Sequence, residues 1–211
     1  MGRYLKPYQR AVKDFGTEFE ALLWNSEQKQ RTRFEEMVSA LDLAGRSVAD
    51  LGAGRADFLA FLMERQITPT RYVGVEGIAQ LKAFCDERAR EQGWSRASFI
   101  EGDFVSDELI FQRLVREQRI DTMVFSGSLN TFGDRLARQT LQRAWTALDR
   151  TPGGVLMFNF LSDRRRESAT GPAKRLDTLG MIRWALERTP LVQVRHDYLG
   201  DHDCLIVMRR D

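Results

Sequence analysis

Two cysteines and two histidines are all that the 211 residues contain. Cys85 and Cys204 lie far apart without a CxxC pair, which excludes a disulfide framework and a zinc ribbon, and both read as packed thiols. His196 and His202 are too few for a multi-histidine metal site, so no metal is expected. No apolar run approaches the roughly 18 residues that a spanning helix needs. The best, 155–161, is short and carries Asn159, so no membrane role is expected. Met1 to Pro7 holds no apolar segment of signal-peptide length, and the chain reads as cytoplasmic. Internal repeats, low-complexity stretches and Pro/Gly/Ser-rich linkers are missing too.

What is present is an ordinary soluble composition, 43% hydrophobic and 29% charged, enough for one domain with a real core. Thirty-two basic residues against 30 acidic ones give a net charge of only +2, with the signs interspersed. Arginine outnumbers lysine 27 to 5. Arginine favours bidentate contacts with carboxylate or phosphate, although a biased genome composition produces the same excess.

Residues 1–45 read as an N-terminal helical cover and 46–211 as one compact unit. Val12, Phe15, Phe19, Leu22 and Leu23 recur at helical spacing, as do Phe34, Met37, Val38 and Leu41. Trp24-Asn25-Ser26 separates the two helices, with Ser26 as N-cap of the second. From Ser47 onward strands are expected at 47–51, 71–76, 97–101, 122–126, 154–160, 191–198 and 204–208. Helices are expected between the first six, at 57–65, 78–92, 107–118, 134–149 and 174–187. Strands joined through helices need crossover connections and form a mostly parallel sheet covered on both faces. Only Leu199 to Asp203 join the last pair, so the seventh strand must run antiparallel. The expected fold is therefore a doubly wound α/β sheet of seven strands with an antiparallel last strand.

The first strand runs into Asp50-Leu51-Gly52-Ala53-Gly54-Arg55-Ala56-Asp57. Ligands of doubly wound sheets bind beyond the carboxyl ends of the strands, and glycines there let backbone approach a ligand closely. A GxG alone is equally a tight turn. In a dinucleotide loop the third glycine would stand where Asp57 does, and that carboxylate repels a diphosphate. With Asp50 also acidic, the loop suits a ligand carrying an ammonium and a sulfonium. Glu76 ends the second strand, where a carboxylate can accept from both hydroxyls of a ribose. Asp103, after the third strand, can accept from an adenine amine while Phe104 packs on the ring. Each carboxylate alone also reads as a helix N-cap; three at consecutive strand ends, in register with a glycine loop, are hard to explain so.

At these residues the sequence resembles the class I S-adenosylmethionine-dependent methyltransferases. The matching segments are Asp50-Leu51-Gly52-Ala53-Gly54, Glu76, Gly102-Asp103-Phe104, Ser126-Gly127-Ser128-Leu129-Asn130-Thr131-Phe132 and Pro152-Gly153-Gly154, within about residues 46–211. Ala56 replaces the last glycine of the family's GxGxG, a mild departure. Leu23 to Ser26, Gln30, Arg33-Phe34 and the tail Arg195 to Leu199 look like a bacterial subgroup of unsettled acceptor.

The resemblance implies S-adenosylmethionine as cofactor, bound by Asp50, Gly52, Gly54, Glu76, Asp103, Phe104 and Ser126. Trp24 would pack near the adenosine or sulfonium and Arg33 would pair with the cofactor's carboxylate, although both also suit plain interhelical packing. Asn130, in the loop that faces the transferring methyl in the family, is a catalytic candidate or a turn residue. His196, beside Asp197, is a general-base candidate or a hairpin-fixing residue. Arg164, Arg165 and Arg166 form either a solvated face or a mobile lid for an anionic small-molecule acceptor, such as a carboxylate or phosphate. The expected reaction is methyl transfer to oxygen or nitrogen of a small molecule by in-line displacement. The loop 126–130 lacks the Asn/Asp-Pro-Pro-Tyr/Phe of amino-directed nucleic-acid methyltransferases, and no Pro-Cys pair serves a pyrimidine adduct. Alternatives are an RNA or protein methyltransferase docked by the arginine loop, and a non-catalytic cofactor-binding partner subunit.

Overall fold

The computed structural model describes residues 2–165 and 171–211. Seven strands form one sheet: β1 (Ser47–Leu51), β2 (Arg71–Glu76), β3 (Ala97–Glu101), β4 (Thr122–Phe125), β5 (Val155–Leu161), β6 (Val192–Arg195) and β7 (Asp203–Arg209). Their order is β3-β2-β1-β4-β5-β7-β6. The first five pair in parallel, and β7 lies antiparallel between β5 and β6. Six strands thus share one direction and the last opposes them, as the short connection before it requires.

Helices α1 (Lys6–Phe15) and α2 (Glu27–Ala40) precede the sheet. They are followed by α3 (Asp57–Glu64), α4 (Ala79–Glu91), α5 (Ile110–Arg116), α6 (Asp134–Ala147) and α7 (Thr178–Leu186). One sheet face carries Phe111 of α5, Trp145 of α6 and Trp184 of α7. The other carries Phe34 and Met37 of α2, Phe58 and Phe61 of α3 and Cys85 of α4. Burial on both faces explains why β5 is an unbroken buried run rather than an alternating one.

Several boundaries differ from the sequence reading, three of them with a clear local consequence. The first helix stops at Phe15 because Gly16 takes a left-handed φ of 63°, and Phe19–Leu22 forms a separate 3-10 helix. The last helix starts at Thr178 rather than 174, since the Asp177 side chain caps it by accepting from Gly180 N at 2.9 Å. β6 is reduced to four residues at the sheet edge. Ser26 caps α2 as expected, accepting from Lys29 N at 3.2 Å. Among the described residues no helix is long and apolar enough to cross a membrane.

Candidate active site

The loops after β1, β2, β3 and β4 open into one cavity of about 280 Å³, closed from above by the segment Tyr4–Tyr8 and by the residues leading into α2. Gly52, at φ +88°, lies under Ser128; a Cβ on it would stand 2.6 Å from the serine Cβ. The N–H groups of Gly52 and Ala53 both donate to Val75 O, at 2.8 and 3.1 Å, which ties the loop to β2.

Glu76 crosses back under this loop. One carboxylate oxygen accepts from Gly54 N at 2.8 Å and the other from Ile78 N at 2.9 Å. Burial pushes its pKa up to about 7, against the pull of those N–H groups. Asp50 is only 2% exposed. Its Oδ2 accepts from the Tyr72 hydroxyl at 2.5 Å, while its Oδ1 is buried without a partner. Burial raises its pKa to about 6, again opposed by the hydrogen bond. Asp57 is held by Arg88 at 2.7 Å through Oδ1 and leaves Oδ2 unpartnered. Both aspartates face the cavity, so two buried acceptor atoms flank the glycine loop.

Asp103 differs from the expectation. Both of its oxygens accept from the Tyr4 hydroxyl, at 2.7 and 2.6 Å, and it also accepts from Val105 N and the Ser106 hydroxyl. Burial works against ionisation, yet the Tyr4 and Ser106 donors hold its pKa below the usual value. Phe104 lines the cavity beside Phe132, whose ring centroid is 6.3 Å away.

The loop after β4 is the other wall. Ser126 Oγ, Ser128 Oγ, Asn130 Oδ1 and Thr131 Oγ1 are all buried without partners and all belong to cavity-lining residues. Gly127, at φ +69°, leaves room for Trp24, whose Cζ2 would stand 2.4 Å from a Cβ there. Its N–H donates to Asn159 Oδ1 at 2.8 Å, and Asn159 donates in turn to Asp203 at 3.1 Å.

Arg33 is tied into this network and still lines the cavity. Its guanidinium lies over Trp24 at 4.7 Å and lines the cavity, but Nε donates to Asp203 Oδ2 at 2.9 Å, with Nη2 on the same oxygen. Nη1 donates to Lys29 O. The carboxylate beneath it is fully buried, so Arg33 already has a counter-charge within the protein.

His196 lies outside the cavity lining. Its Nε2 meets Ser162 Oγ at 2.8 Å. His202 does line the cavity, because β7 rather than β6 lies next to β5, and Ser162 N donates to the His202 carbonyl at 2.9 Å. Of the arginine triplet, Arg165 lines the cavity and Arg164 is an exposed residue outside it. Arg166 lies outside the described residues. The sequence reading also missed Tyr4, Lys29, Ser128, Thr131 and Arg175 as cavity residues. Among the described residues no cluster of His, Cys, Asp and Glu has metal-binding geometry.

No known family description matches the sequence, and no curated protein matches it either. Solved structures do. The chain is similar to magnesium protoporphyrin IX methyltransferase ChlM from Synechocystis PCC 6803 with bound SAH, at 12% identity and a TM-score of 0.61, covering 97% of this chain and 93% of that one. It is similar to the S-adenosylmethionine-dependent methyltransferase SibL in its apo form, at 15% identity and a TM-score of 0.68, covering 96% and 61%. It is also similar to the small RNA methyltransferase HEN1, at 12% identity and a TM-score of 0.67, where it covers 87% of itself but spans only a quarter of the other chain, 25%. By these likenesses and its seven-stranded sheet, the chain has the fold of the class I S-adenosylmethionine-dependent methyltransferases.

Proposed function

We propose that the chain is an S-adenosylmethionine-dependent methyltransferase acting on a small-molecule acceptor at oxygen or nitrogen. The observation that carries this reading is the unpartnered Oδ1 of Asp50, buried against the glycine loop and aimed at a cavity. A buried acceptor without a donor is costly unless a ligand supplies one. Gly52 is needed for packing as well, since a Cβ there would collide with the Ser128 side chain of the facing loop.

The residues fit the cofactor. Asp50 and Asp57 suit its cationic methionine end, Glu76 its ribose hydroxyls, and Phe104 with Phe132 its adenine. Asp103 would serve the adenine amine only after Tyr4 gives way. Trp24 and Ser126 border the same space, and Gly54 holds Glu76 in place. The bound cofactor supplies a methyl group activated on sulfur. The chain's own work is to orient the two reactants in line and keep water out. Asn130, a lining residue whose Oδ1 is unpartnered, would accept from a donor group on the ligands.

Calorimetric titration with S-adenosylhomocysteine tests the reading. Binding is expected, with Asp50→Ala and Glu76→Ala each weakening it at least tenfold; no heat up to millimolar ligand would overturn the proposal. An RNA acceptor draws support only from the HEN1 likeness. It predicts retention on RNA that falls steeply with salt through counterion release.

A further inference from the structure

The charged side chains of the cavity are sorted along the sheet edge. Asp50, Asp57, Glu76 and Asp103 belong to the ends of β1, β2 and β3. Among the described residues these are all the carboxylates that line it. Lys29, Arg165, Arg175 and His202 come from α2, from beyond β5, from before α7 and from before β7. Because β4 lies between β1 and β5, its loop with Ser128, Asn130 and Thr131 separates the two groups. Arg33 sits on the basic side too, but buried Asp203 neutralises it; Arg165 lies 4.0 Å from Asp201, an exposed carboxylate outside the cavity lining, so its charge is shared rather than cancelled. A cationic cofactor belongs on the acidic side. The basic side is left for the acceptor.

His202 refines what that acceptor must be. Arg175 Nη2 lies 3.3 Å from His202 Nδ1, and a guanidinium can only donate, so Nδ1 accepts and the ring proton sits on Nε2. Burial disfavours the imidazolium; Asp203 opposes this, and Arg33, Arg175 and Arg165 reinforce it. The ring is therefore a neutral donor whose one lone pair is already used. It can hydrogen-bond an anion, and it cannot take a proton from an acceptor. Thr131, 7% exposed, adds an unpartnered buried hydroxyl from the separating loop.

We propose that the acceptor is a small organic carboxylate, methylated on its own oxygen to give a methyl ester. The proposal rests on the methyl-transfer reading above. The carboxylate oxygen forms the new bond to the methyl carbon while the carbon–sulfur bond breaks and its electron pair stays on sulfur. An anion and a sulfonium become a neutral ester and a neutral thioether, so no proton leaves and no base is needed. Lys29, Arg165 and the Nε2–H of His202 attract the charged substrate and lose that attraction when it becomes an ester, which favours release. An amine acceptor would arrive as an ammonium facing these cations and would need a base.

The test uses the whole chain with S-adenosylmethionine tritiated in its methyl group and a deproteinised bacterial extract, fractionated on an anion exchanger. Label is expected in the anionic fractions and should leave as volatile methanol on mild alkaline treatment. Alkali-stable label, as in an ether or an N-methyl product, overturns the ester proposal and leaves methyl transfer standing. No label in any fraction, with S-adenosylhomocysteine still bound, overturns methyl transfer and the ester with it. In a second arm, the double variant Lys29→Gln/Arg165→Gln should lower kcat/KM for the labelled acid at least tenfold. Its affinity for S-adenosylhomocysteine should stay within twofold of the parent. A matching loss of that affinity would mean the cations hold the cofactor and would refute their assignment to the acceptor.

Discussion

The Tyr4 hydroxyl donates to both carboxylate oxygens of Asp103, from the N-terminal segment to the end of β3. With Val105 N and the Ser106 hydroxyl also donating, Asp103 has no acceptor capacity left for an adenine amine unless Tyr4 withdraws. Removing the hydroxyl should therefore help a nucleoside ligand. Tyr4→Phe is expected to tighten S-adenosylhomocysteine by about fivefold, the equivalent of about 1 kcal/mol for one net hydrogen bond. Weaker binding by calorimetry would show instead that Tyr4 is part of the bound state.

That contact also marks where the sequence is legible and where it is not. β1, β2 and β3 fall where their apolar runs end in a carboxylate or a glycine, because those signals are local. The Ser26 cap is local too. The break at Gly16 was hidden because Val12, Phe19 and Leu22 face one cluster on both sides of it, so helical spacing outlasts the helix. Arg33 and Asp203 lie 170 positions apart, and no pattern along the chain announces their pairing. His202 rather than His196 lines the cavity because β7 lies between β5 and β6, a matter of strand order alone. Tyr4 had a signal: Tyr4 and Tyr8 are one helical turn apart, with Pro7 in the first turn of α1.

The Arg33–Asp203 pair predicts a large stability effect. Asp203 also accepts from Asn159 and Tyr198, and Asn159 fixes Gly127, so one buried carboxylate joins α2, β5, β7 and the loop after β4. Asp203→Ala leaves Arg33 buried and unpaired and should cost about 3–5 kcal/mol in urea denaturation. Arg33→Met/Asp203→Leu, which removes both charges, should cost clearly less than the sum of the single changes. Additive losses would show that the two residues are not coupled.

Gly127→Ala should act on Trp24. The added methyl is strained at φ +69° and would stand 2.4 Å from the indole, which must move out over the cavity. A loss of roughly 1–3 kcal/mol is expected. The Trp24 ring would also leave Arg33, so tryptophan emission should shift to the red, and Gly127→Ala/Trp24→Ala should recover part of the stability. An unshifted spectrum would mean that the loop rather than the ring gives way.

The buried acids predict opposite pH responses for folding and for ligand binding. Burial raises the Glu76 pKa to about 7 and that of Asp50 to about 6. In the unfolded chain both return to the ordinary carboxylate range. The native state therefore binds these protons more tightly than the unfolded state does. Their contribution to stability is complete below the unfolded values and is lost as pH rises through about 6 and about 7. The melting temperature of the free protein should fall between about pH 4 and about pH 7 and level off above that, and Glu76→Gln should flatten that slope. A ribose diol that donates to Glu76 prefers the ionised form, so S-adenosylhomocysteine affinity should rise with pH, with a midpoint near the Glu76 value of about 7. Calorimetric titrations at several pH values separate the two effects. An affinity that stays flat or falls with rising pH would show that Glu76 binds as the protonated acid, as a donor to the ligand rather than an acceptor.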